Sequence, residues 1–228
     1  MAVVIMLLWN TFLMKPLKIF LVFLHETGHA FISFITGYGI TNLNINLNES
    51  GFTTVATGGR FAGLLIVMGG YLGSLFFAAL ILILRKTSLK KFIPGIAAIT
   101  YLMAAAAFQG MSFALSYAVI FVIAVFIIYM LNRERLTDLA VEIIGISGLV
   151  YIIYDTLVNT LLVEINAWTG IISGWSRPGN ISDAYRMSEM TGVPVFIWGL
   201  VCLLISLFVA RALLREKKRI WGRKSKRA

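Results

Sequence analysis

The sequence is short of almost everything a soluble domain displays on its surface. Only 13% of its 228 residues are charged and 59% are hydrophobic, whereas a soluble domain is about a quarter charged. One cysteine, Cys202, excludes an intrachain disulfide and a cysteine-built metal site. Histidine occurs only at 25 and 29, and aspartate only at 138, 155 and 183. The sparse polar residues divide the apolar ones into runs of roughly 18 to 24, the length that crosses a hydrocarbon core of about 30 Å. Mean hydropathy is +0.89. In that medium the backbone must satisfy its own hydrogen bonds, so the runs are expected to be helices.

The runs lie near 17–36, 61–84, 92–108, 111–131, 139–163 and 194–214. They predict an all-α polytopic membrane protein of about six transmembrane helices. Ala2 to Met14 is apolar as well, but at about 1.5 Å per residue it is too short to cross alone. It is expected as a short, tilted seventh span or an interfacial segment, set off by Lys15-Pro16. A basic start and a small-residue cleavage site are both missing, which argues against a signal peptide.

Charge placement gives the threading. With the tail from Arg211 onwards in the cytoplasm and six alternating spans, all of the 20 basic residues except Arg60, Arg177 and Arg186 fall on the tail's side. The net charge of +10 is then a topology signal, with the 216–228 tail free to meet anionic lipid. No aromatic–basic interleaving or soluble module supports a nucleic-acid role. The expected organisation is a single membrane domain over 1–215 and a basic cytoplasmic tail. Its small size and single soluble hairpin suit a prokaryotic cytoplasmic membrane.

Two stretches interrupt the spans. Within 40–59, Leu43-Asn44-Ile45-Asn46-Leu47-Asn48 alternates strictly, which reads as a strand. Asn48 to Gly51 supplies a turn and Phe52 to Val55 a return strand, so a small β-hairpin is expected, either surface-lying or working at the site. The outer loop over 164–193 has glycine and proline at its centre. Ser182 can cap a short helix before the last span.

The strongest chemical signal is His25-Glu26-Thr27-Gly28-His29, an H-E-x-x-H pattern inside an apolar run. Residues four apart share a helix face, so both imidazoles can address one zinc ion, while Glu26 can reach a zinc-bound water as a base. Two histidines fall four apart by chance roughly 0.9% of the time and glutamate follows a given residue about 3% of the time, so the coincidence is of order 10⁻⁴ for a pattern specified in advance. The competing reading is a buried His–Glu–His hydrogen-bond cluster, but ionisable groups within a span cost about 2.5–3.5 kcal/mol each to insert.

Zinc needs another protein ligand. Asp138 sits in a basic loop. Asp155 lies in an apolar span about 18 Å from Ile143, and His25 and His29 are about 12 and 18 Å from Leu17 on the same side, at 1.5 Å per residue. Depth therefore favours Asp155 as the third ligand. Asp183 is the alternative and would have to fold back from the outer loop.

The pattern from His25 to Ala30, followed by a polar hairpin, Gly69-Gly70-Tyr71-Leu72-Gly73, Tyr154-Asp155, Ser182-Asp183-Ala184 and Trp198, resembles the site-2 protease class of intramembrane zinc metalloproteases, peptidase family M50, and within it the M50B-like group. The resemblance implies a zinc-dependent endopeptidase that hydrolyses a peptide bond within or next to a membrane segment. It implies His25 and His29 as zinc ligands, Glu26 as general base and an aspartate as third ligand. The Asn-Pro…Leu-Asp-Gly motif that supplies this aspartate in better-known members is absent, so Asp155 and Asp183 both stay open. The charge pattern also runs the histidine helix outwards from the cytoplasm, opposite to the sense of those members.

The expected partners are a membrane-protein or membrane-peptide substrate and the lipid bilayer. The hairpin edge, Leu43, Asn44, Ile45 and Asn46, is a candidate for holding the substrate as an added strand. Gly69-x-x-x-Gly73 and Ala104 to Ala107 are expected to permit close helix packing. The alternatives are a non-catalytic zinc-binding membrane scaffold or chaperone, and a metal transporter of the ZIP type. A transporter would ordinarily carry more histidines along its path. A prenyl-protein endopeptidase would instead use a glutamate ligand, for which Glu142 is the intramembrane candidate.

Overall fold

A computed structural model of the chain describes residues 1–46, 48–56, 58–108, 112–173 and 182–225. Among the described residues six helices are long and apolar enough to cross a membrane, spanning Phe12–Ile35, Arg60–Leu84, Ser88–Ala107, Phe113–Met130, Glu134–Thr169 and Val195–Leu213. The protein is an all-α polytopic membrane protein with one small antiparallel hairpin, as its apolar runs predict.

Helix α1, Ala2–Leu8, is a single seven-residue piece outside the six spans. Ile5 and Trp9 bury it against the bundle, with the Trp9 ring tilted against Tyr154 at 5.8 Å. Pro16 falls in the first turn of α2, Lys15–Ile35, where a missing N–H costs nothing. The hairpin follows as β1, Ile40–Ile45, and β2, Gly51–Val55, paired antiparallel with Leu43 opposite Thr53. Next come α3, Arg60–Leu84, then α4, Ile93–Ala107, and α5, Ser112–Met130.

The fifth span is longer than its apolar run suggests. It starts at Glu134 as α6, Glu134–Tyr154, so Asp138 lies inside the helix rather than in a loop. It then widens into a π-helical stretch, Asp155–Leu162, and tightens again as α7, Val163–Thr169. The outer loop accordingly begins at Gly170, whose φ of 65° ends the helix in the left-handed region. The glycine- and proline-bearing centre of that loop, with Arg177, lies outside the described residues, as does the tail's end at 226–228. Ser182 Oγ accepts from the Tyr185 N–H at 3.3 Å and caps α8, Asp183–Thr191. The last helix is α9, Val195–Ser225.

The hairpin does not rest on the membrane surface. It leaves α2 at Thr36 and runs back beside that helix, so that Glu49 at its turn forms an ion pair with Lys18. Lys18 stands 17 residues before Ile35, about 25 Å at 1.5 Å per residue. The hairpin is therefore re-entrant. Non-helical backbone at membrane depth must be enclosed by protein, and β1 meets this by burying Leu43 and Ile45 in the core with Ile19 to Phe23.

Two apolar cores hold the spans together. One gathers around Phe20, which stacks on Phe121 at 4.7 Å and meets Tyr101 edge-on at 5.6 Å. The other joins Tyr71, Leu75 and Ile152 to Ala184 and Met187 of α8. Helices α2 and α3 touch backbone to backbone. A Cβ on Gly73 would stand 2.5 Å from Gly28 Cα, and one on Gly69 2.8 Å from Gly28 O. The expected glycine packing is present there. By contrast, α4 and α5 turn Ile96, Ile99, Met103, Ile123 and Phe126 outwards, as lipid-facing helices do.

Candidate metal centre

Helix α2 delivers both histidines by simple periodicity, with Glu26 beside the first. His25 and His29 stand one turn apart with ring centroids 4.9 Å from each other, and both are buried. Their outer nitrogens are engaged by α3. His29 Nδ1 donates to the Ile66 carbonyl at 2.7 Å, and His25 Nδ1 pairs with the Ser74 hydroxyl at 3.2 Å. Because a carbonyl can only accept, the proton of a neutral His29 sits on Nδ1, which leaves Nε2 as the free lone pair. That is the orientation a metal-binding imidazole requires.

Both Nε2 atoms converge on the carboxylate of Asp183, at 2.8 Å for His25 and 3.1 Å for His29. Ligand atoms from the three residues all lie within 4.8 Å of one another, the one such cluster of at least three metal-binding side chains among the described residues. Burial alone would raise the Asp183 pKa, but His29 and His25 hold it well below the ordinary carboxylate range. Asp183 therefore stays ionised, a good oxygen donor.

The donor set fits zinc, which takes histidine nitrogen and carboxylate oxygen. Tetrahedral ligands at the usual 2.0–2.1 Å stand about 3.3 Å apart, a few tenths of an ångström from the separations here. Gly70 on α3 makes the room. A Cβ there would collide with the His29 ring and stand 2.5 Å from His25 Nε2.

The third acidic position differs from the depth-based expectation. Asp155 does not join the histidines' metal-facing nitrogens. Its Oδ1 accepts from Asn159 at 3.0 Å, and its electrostatic neighbours include His25, Asp183 and Tyr71. It is thus near the centre but outside the cluster of His25, His29 and Asp183. Asp183 arrives because Ala184 and Met187, both fully buried, pin α8 into the second core. Gly192, at φ 76°, stops α8, and the Trp198 indole donates to Thr191 at 3.1 Å. Glu142, the glutamate alternative, is taken up by Arg85 at 2.6 Å.

Glu26 is 3% exposed and lies beside the cluster. The Thr53 hydroxyl on β2 donates to its Oε2 at 2.7 Å. A Cβ on Gly51 would come within 2.7 Å of Oε1, so a glycine lets the strand approach the carboxylate. A cavity of about 400 Å³ opens here, lined by Glu26, His29 and Asp183, by Gly51 to Val55 of β2, and by Ile66 and Arg186. The expected edge residues stand elsewhere. Leu43 and Ile45 are 2% and 1% exposed in the core, Asn44 pairs with Phe52, and Asn46 closes the turn through Ser50. The strand beside the cavity is β2, because the apolar members of an alternating strand seek the core and its partner inherits the polar side.

Thr53, Ser74, Gly70 and the Ile66 carbonyl were not legible in the sequence as parts of this site. A threonine in a strand and a serine in a glycine-rich helix carry no signal until the fold brings them to α2.

In the sequence comparison, the Peptidase M50B-like profile matches residues 1–213. The chain belongs to the Peptidase M50B-like family. No curated protein and no solved structure matches it. The M50B-like match covers all six spans, together with α8 and its aspartate.

Proposed function

We propose that this M50B-like protein is a zinc-dependent intramembrane endopeptidase that hydrolyses a peptide bond within or next to a membrane segment. The observation that carries the reading is the convergence of His25, His29 and Asp183 beside buried Glu26, on the wall of one cavity. His25 and His29 hold the metal through Nε2, and Asp183 holds it through its carboxylate. Bound zinc supplies Lewis acidity towards a carbonyl and towards water near neutral pH.

Glu26 is the general base. It takes a proton from the attacking water and passes it to the leaving amine, so that one carboxylate serves both halves of the reaction. Thr53 holds that carboxylate in one orientation. The substrate peptide must be unwound before attack, since helical peptide bonds are shielded. The extended backbone of β2, lining the cavity, is the edge on which it is held, while Leu43, Asn44, Ile45 and Asn46 back that strand from the core side. We place the C-terminus in the cytoplasm on the distribution of the basic residues, and the protein in a prokaryotic cytoplasmic membrane on its small size.

The test is cleavage of reconstituted membrane-spanning peptides by wild type and Glu26→Gln at equal zinc content. General-base loss should lower the rate by about 10²–10⁴-fold. Equal rates would remove Glu26 from the chemistry. No turnover by zinc-loaded wild type on any peptide of the set would favour a zinc-binding scaffold.

A further inference from the structure

A second cavity, of about 830 Å³, lies away from the metal centre, where α4 begins, α5 ends and α6 begins. Its walls divide by chemistry. Ile96, Ile99 and Ile128 line the part along the helices, and Lys91, Arg133 and Asn132 line the part at their ends. Lys90 also lines it but is held by Glu134 at 2.7 Å and Asp138 at 2.8 Å. Lys91 and Arg133 have no carboxylate partner among the described residues. Lys91 instead lies over the Phe92 ring at 5.0 Å.

The shape is built in. Tyr129 donates to the Lys91 carbonyl at 2.7 Å and accepts the Gly95 N–H at 2.9 Å, tying the end of α5 to the start of α4. A Cβ on Gly95 would stand 2.9 Å from the Tyr129 oxygen, so the tie requires glycine. Asn132, at φ 44°, then turns the chain so that Arg133 reaches the same rim.

We infer that this cavity binds an anionic phospholipid, with its phosphate between Lys91 and Arg133 and its acyl chains along Ile96, Ile99 and Ile128. Charge complementarity selects the occupant. The cations stand at the end of two spans, where a headgroup lies, and the apolar wall continues onto lipid-exposed faces of α4 and α5. A soluble anion would use the rim and leave the isoleucine wall unused. A zwitterionic lipid brings the same phosphate but sets its own cationic headgroup beside Lys91 and Arg133, so a lipid of net negative charge is favoured. The volume falls within the roughly 300–1,000 Å³ of ordinary ligand pockets. The inference is independent of the peptidase reading.

The experiment is native mass spectrometry of the full chain in neutral detergent, with dioleoyl phosphatidylglycerol, dioleoyl phosphatidylcholine or inorganic phosphate added at equal concentration. Wild type should retain phosphatidylglycerol about tenfold over phosphatidylcholine, with phosphate failing to compete. Lys91→Gln with Arg133→Gln should abolish the preference, whereas Arg215→Gln with Lys217→Gln in the tail should keep it. Ile96→Trp, which fills the wall without touching charge, should lower phosphatidylglycerol retention several-fold and serves if the double variant does not fold. Retained preference in the rim variant, or its loss in the tail variant alone, overturns the site. Equal competition by phosphate overturns the lipid assignment.

Discussion

Two aspartates stand near the histidines, one in the long fifth span and one on a short helix outside the six spans. Asp155 belongs to the π-helical stretch and accepts from Asn159 one turn away. Asp183 opens a nine-residue helix and meets both Nε2 atoms. The difference teaches that depth in a bilayer is not position in a bundle. Rise per residue places a side chain along the span axis but leaves its direction around that axis open. Packing fixes that direction. Buried Ala184 and Met187 turn α8 inwards, whereas Asp155 is turned towards its own helix and Tyr71.

The largest effect that would sharpen this contrast is expected from Gly70→Ala. The added methyl runs into both imidazoles from a helix whose backbone cannot retreat, since Gly69 and Gly73 already touch Gly28. It should abolish zinc retention and activity, about 100-fold or more, while leaving Asp155 and its asparagine undisturbed. Zinc content by elemental analysis, with the melting temperature to confirm folding, checks it. Normal zinc in a folded Gly70→Ala protein would mean that the histidines do not hold the metal as described.

Thr53→Val should be milder. It removes a hydrogen bond to the Glu26 carboxylate, worth about 1.5–3 kcal/mol to a charged group, and so should lower kcat by roughly ten- to a hundredfold at most while zinc content stays normal. Steady-state cleavage of a membrane peptide measures it. An unchanged kcat would detach the hairpin from the catalytic carboxylate. The smallest effect belongs to Asp155→Asn, which keeps the shape and the Asn159 contact. Zinc affinity should change by less than about threefold, read by competition with a chelator.

Much of this was legible in the sequence because it rests on periodicity. The apolar runs mark the spans, alternation from Leu43 marks the strand, and His25 and His29 fall on one helical face by spacing alone, with Glu26 next to the first. What was not legible depends on neighbours remote in the chain. The same alternation that reveals β1 also sends Leu43 and Ile45 into the core, which leaves β2 beside Glu26. The polar hairpin reads equally as a surface element or as part of the site, and only the contact of Lys18 with Glu49 shows it drawn back along α2. The run beginning at 139 hides a helix starting at Glu134, because its first turns are charged and held by Lys90.

The most direct test is the zinc content of the full chain purified under metal-replete conditions, compared among wild type, Asp183→Ala and Asp155→Ala of equal folded fraction. The account predicts about one zinc per chain in wild type and in Asp155→Ala, and less than about a fifth of that in Asp183→Ala. Full zinc in Asp183→Ala with loss in Asp155→Ala would contradict it.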